Sequence, residues 1–175
     1  LYFQFALGAS PVVTGYLMGV LALGQIALRL GLEPLLKRLG IKKLLIFNSA
    51  VLGLLLACLL VFQPGVSFWL VGGFIFVFGL IHSIQLSTLA GLNFSGIPDA
   101  ALGKATSLGA VVQRLSTAFG ISLTAILLGF TTQGTRPEPM DFIVPTLVLS
   151  AVMVLSLVSF LVLRQGDGDD LLKKK

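Results

Sequence analysis

The chain has 175 residues, 56% hydrophobic and only 11% charged, with a net charge of +5 and a mean hydropathy of +1.02. That hydropathy excludes a soluble globular domain, because several apolar runs reach the ~20 residues that carry an α-helix across hydrocarbon. In a soluble protein surplus cations point to nucleic acid; in a membrane protein their positions report which loops face the cytoplasm.

A membrane β-barrel would alternate apolar and polar residues in pieces of ~10. These runs do not alternate: "AVLGLLLACLLVF" (Ala50 to Phe62) is apolar on every face. The fold class expected is an all-α integral membrane bundle of five helices. The single cysteine, Cys58, lies inside an apolar run and reads as a packed thiol; alone, it can form no intramolecular disulfide.

Residues 1–10 read as the end of a preceding helix and an outside loop, although "LYFQF" also resembles a protease-tag remnant that Phe5 continues poorly. The first span runs from about 11 to 33, opening at Pro11, which the first helical turn tolerates. The second, about 43–62, stops at the turn residues Pro64-Gly65. The third covers about 67–92, the fourth 103–130 and the fifth 142–163, with Pro145 in its first turn. These spans form a bundle over 11–164, followed by a polar tail at 165–175.

Five crossings put the 33–43 loop, the 93–103 loop and the C-terminus on one face. That face holds nine cations (Lys37, Arg38, Lys42, Lys43, Lys104, Arg164, Lys173, Lys174, Lys175), against Arg136 alone on the other. The nine mark the cytoplasmic side of the membrane. The N-terminus then starts outside, which leads to the expectation of an earlier helix and of a chain that is a fragment.

Polar residues inside a membrane turn toward partners or water. The second and fifth spans read as lipid-facing, with little polar beyond Ser and Thr. In the fourth span, Thr106, Gly109, Gln113, Ser116, Thr117, Gly120 and Thr124 share one stripe, with Arg114 at its edge. Small residues there permit close packing. Arg114 cannot shed its charge, so it requires a wet cavity, a gating pair or a bond to a neighbouring helix. In the third span His82, Gln85, Leu89 and Asn93 share a face. His82 is open to two readings, one interhelical hydrogen bond or a proton relay. In the first span Gln25 and Arg29 share a stripe with Glu33 one turn on, and Arg29 either snorkels, pairs with Glu33 or joins a gate. All seven acids lie in loops, in the tail or at a helix end, so a buried coupling carboxylate is not on this segment. No metal cluster, cofactor motif or catalytic motif is visible, and an enzyme is not expected.

Four stretches together resemble the major facilitator superfamily, in the drug:proton antiporter group with fourteen transmembrane helices. They are "LYFQFALGASPVVTG" (Leu1 to Gly15), "PLLKRLGIKKLL" (Pro34 to Leu45), "IPDAALGKATSL" (Ile97 to Leu108) and "QRLSTAFG" (Gln113 to Gly120). The second keeps Pro34, Arg38, Gly40 and Lys42 of the family's cytoplasmic loop, with Lys37 where an acid is usual and Ile41 replacing a cation. The resemblance implies the C-terminal half of that fold, with the second and fifth spans peripheral. It implies proton-driven export of drugs or amphipathic molecules by alternating access, or transport of a metabolite or nutrient by the same fold. Gln25, His82, Gln85, Gln113, Arg114 and Thr117 would line the substrate cavity. Arg29, Glu33, Lys37, Arg38, Gly40 and Lys42 would serve the cytoplasmic gate. The partners implied are membrane lipid, a small-molecule substrate, protons and a missing N-terminal half.

Overall fold

The structure is a computed structural model that describes residues 2–28, 39–94, 97–132 and 137–162. Its helices are α1 (Tyr2–Phe5), α2 (Pro11–Ala27), α3 (Ile41–Cys58), α4 (Phe68–Phe94), α5 (Asp99–Thr132) and α6 (Ile143–Leu161). Short 3₁₀ turns extend α3 over Leu59–Val61 and lead into α6 over Pro139–Phe142. The described residues form helices and connecting turns, with no strand among them. Four helices are long and apolar enough to cross a membrane, and the described part of α2 is a shorter apolar helix of 17 residues. The protein is an integral membrane helical bundle.

Local chemistry sets several ends. Ser10 caps α2, its hydroxyl accepting the Val13 N–H at 3.3 Å, with Pro11 in the first turn where its missing N–H costs nothing. Gly40 precedes α3 with φ of 73°, a conformation that would strain a residue bearing a Cβ. Helix α5 starts at Asp99, ahead of the expected start near 103, because the chain is already helical through "DAAL".

Lipid offers no hydrophobic drive between helices, so they associate through close packing and hydrogen bonds. Helices α2 and α4 cross where Gly24 faces Gly79. A Cβ on Gly24 would meet the Phe76 carbonyl and lie 3.1 Å from the Leu80 nitrogen; one on Gly79 would meet the Leu21 carbonyl. Helices α3 and α6 meet at Gly53, whose carbonyl accepts the Ser150 hydroxyl at 2.6 Å. Helix α3 also packs on α4, so the order across the bundle is α2, α4, α3, α6. At one end Tyr2 of α1 donates its hydroxyl to the Leu59 carbonyl at 2.8 Å and meets Phe142 edge-on at 5.5 Å, tying α1 to α3 and α6.

One expectation about helix faces needs revision. The span that became α3 contains Asn48, overlooked among its apolar neighbours, and Asn48 and Ser49 are both buried. Only the far side of α3 is lipid-facing, through Phe47, Leu54 and Val61. Helix α5 is the reverse: residues 111–119 are exposed without a break, and it is anchored near its C-terminal end by buried Leu128 and Thr132.

Candidate functional site: a cleft between two helices

Because α5 leans on the bundle near one end only, it leaves a cleft of about 470 Å³ against α4 toward the other. Its polar lining is Ser87 and Asn93 from α4 and Thr106 and Gln113 from α5, set among Leu86, Leu89 and Val112. Gly109 belongs to the same wall, and with no side chain it leaves room there.

Of the stripe expected on the fourth span, Thr106, Gly109 and Gln113 line the cleft, while Ser116, Thr117, Gly120 and Thr124 run on beyond it. The stripe's threonines bond back to their own helix: Thr106 to the Leu102 carbonyl at 2.7 Å, Thr117 to that of Gln113 at 2.9 Å, and Thr124 to that of Gly120 at 2.7 Å. Their protons are thus spent on the backbone and only oxygen lone pairs face outward. Gln113 can both donate and accept, which makes it the most versatile group on that wall. Thr117 lies one turn beyond Gln113 and is exposed, as is Arg114. Among the described residues no carboxylate lines the cleft.

The other residues named from sequence are placed differently. Gln85 is 7% exposed and engaged in the α3–α4 contact: it accepts from the Asn48 amide at 2.9 Å and donates to Ser49 Oγ at 2.9 Å. Asn48 also donates to the Ile81 carbonyl at 3.1 Å. His82 Nδ1 lies 3.0 Å from Gln25 Nε2, and the neighbouring Ser83 donates to the Gln25 carbonyl at 2.8 Å. Phe78 stacks on the imidazole with centroids 6.1 Å apart. Of the shared face on the third span, Gln85 and His82 therefore serve interhelical bonds, while Leu89 and Asn93 line the cleft. Lys42 donates to the Leu161 carbonyl at 2.8 Å, joining the start of α3 to the last turn of α6. Arg29, Glu33, Lys37 and Arg38 lie outside the described residues.

Sequence reading missed Asn48 and Ser87. Asn48 carried a signal, an amide in an otherwise apolar run; Ser87 carried none, since serine is neutral in such helices. Among the described residues no group of His, Cys, Asp and Glu is arranged to hold a metal.

Comparison with known proteins fits a transport element. Over 91% of its length the chain is 27% identical to the multidrug resistance protein MdtD of Pectobacterium carotovorum, covering 35% of that protein. It is 27% identical over 76% of its length to MdtD of Pectobacterium atrosepticum, and 26% identical over 73% to MdtD of Escherichia coli. The chain is thus similar to MdtD multidrug resistance proteins over most of its length. It spans about a third of the length of the curated relatives it matches. No family model matches it, and no solved structure does. The relatives are named for drug resistance and not for a catalysed reaction.

Proposed function

We propose that this segment is part of a secondary transporter that exports amphipathic small molecules, drugs among them, by proton-coupled alternating access. The observation that carries this reading is the similarity to MdtD proteins along 91% of the chain. The cleft supports it: its size is within the 300–1,000 Å³ typical of small-molecule sites, and it combines apolar walls with few hydrogen-bonding groups. Gln113 and Asn93 would orient cargo, while Leu86, Leu89 and Val112 would supply affinity without direction. The coupling carboxylate would come from outside this segment, since the sequence has no acid in the interior of a span.

The cleft approaches the 93–103 loop through Asn93 and Thr106. The cation count makes that loop cytoplasmic, so the cleft would admit cargo from inside. Lys42 lies at the same end and would help hold α3 to α6 while the halves of the transporter rock.

The test is a growth-inhibition panel in an efflux-deficient host, comparing the full-length protein with Gln113→Ala. Protection against amphipathic compounds that Gln113→Ala narrows or abolishes is the expected result. A protein that protects against none of them, and accumulates a metabolite instead, would replace export with uptake. Single cysteines at Lys42 and Arg136 should label from opposite sides of the membrane; same-side labelling would overturn the topology.

A further inference from the structure

Helix α5 has a third face that the bundle leaves open and that borders the cleft only through Ala110. At 100° per residue, Gly103, Ser107, Ala110, Arg114, Ala118, Ile121 and Ala125 fall in one narrow seam. Their spacing of alternating threes and fours is that of a helix packed along a partner helix. All seven are exposed, Ile121 at 66%. Four of them are Gly or Ala, and the Ser107 hydroxyl folds back on the Gly103 carbonyl at 3.0 Å, leaving a smooth groove. The opposite side, with Leu108, Leu115, Phe119 and Ile126, is bulky and apolar, as suits acyl chains.

Arg114 sits at the midpoint of this seam, eleven residues from Gly103 and eleven from Ala125. The seam is about 33 Å long at 1.5 Å per residue, so the guanidinium lies near the middle of the hydrocarbon. Lipid is a poor occupant, because its phosphates are half a membrane away. A second copy of this chain is poor too: no span in the sequence holds an acid in its interior, and a two-fold contact along the seam would oppose Arg114 to itself. The relatives are about three times as long as the matched region, which leaves further helices to cover the face.

We propose that this seam docks one transmembrane helix from the remainder of the same polypeptide, and that this helix carries an Asp or Glu level with Arg114. Small residues let the two backbones approach, and the carboxylate satisfies the buried guanidinium. The docked helix adjoins the cleft and walls it off from lipid. This rests on the reading of the segment as part of a larger transporter.

The test uses the full-length polypeptide with Cys58→Ala. A cysteine replacing Ala118 is paired in turn with cysteines in each span that contains an acid, and disulfide trapping is scored within one chain. Separately, Arg114→Asp is combined with replacement of each membrane Asp or Glu by Arg, and the yield of detergent-stable protein is measured. Trapping to a single acid-bearing helix is expected. Arg114→Asp should lower the yield by at least about tenfold, and the swap on that helix should restore most of it. Trapping only between two chains, trapping to none, or rescue by no swap would overturn the proposal. Neither readout measures transport, so a protein that traps as expected yet exports nothing would end the exporter reading alone.

Discussion

Gln85 on α4 and Gln113 on α5 are the same side chain in similar settings, each inside a long helix of a membrane bundle. Gln85 bonds Asn48 and Ser49 and is shut away from everything else, whereas Gln113 faces a cleft. The difference is made by the neighbouring helix. Helix α3 lies close enough to α4 for both amide ends to find partners. Helix α5 is held near one end, so its polar stripe meets an open space. An amide in a membrane helix is therefore either a joint or a binding group, and only the partner's distance decides which.

The sharpest way to break this contrast is to push closed helices apart. Gly79→Val places a side chain against the Leu21 carbonyl, with backbone on both sides and nowhere to relax. It should cost about 3 kcal/mol and strip α2 from α4, seen as loss of the monodisperse peak in detergent. A smaller effect is expected at the joint. Asn48→Leu removes two donated hydrogen bonds and leaves Gln85 Oε1 without its donor, for about 1–2 kcal/mol in a steric-trapping or thermal assay. A double-mutant cycle of Asn48→Ala with Gln85→Ala should return a coupling of about 0.6–1.7 kcal/mol; zero coupling would make Gln85 available to cargo after all.

On the cleft side the expected pattern inverts. Gln113→Ala should change stability by less than about 0.5 kcal/mol, since the residue is exposed. It should raise the half-saturating cargo concentration in everted vesicles by about tenfold, the equivalent of one lost hydrogen bond. A variant that loses stability and leaves transport unchanged would turn Gln113 into a second joint. The smallest effect belongs to Lys42→Met, which removes the tie to the Leu161 carbonyl at the bundle's edge. It should cost no more than about 0.5 kcal/mol and appear, if anywhere, as faster proteolysis of the α6 end.

Particular residues show how far the chain could be read unaided. Hydropathy located the spans because crossing hydrocarbon demands length and apolarity whatever the neighbours are. Pro11 announced the start of α2 because its fit to a first helical turn is local chemistry. The stripe through Thr106 and Gln113 was visible because helical periodicity places those residues together without help from other helices. Gln85 looked identical to Gln113 by these criteria, and nothing within α4 separates them. The roles of Gly24 and Gly79 were equally hidden, since a glycine in a helix reads as a packing site only when the opposite backbone is known.

The sequence by itself determined that this chain is an α-helical membrane segment and which faces carry hydrogen-bonding groups, because these follow from the solvent and from the 3.6-residue turn. The tertiary structure alone decided which of those groups are consumed in helix contacts and which remain for a ligand. That outcome depends on distances between helices far apart in the chain, set by where glycines let backbones meet and where α5 is left standing off.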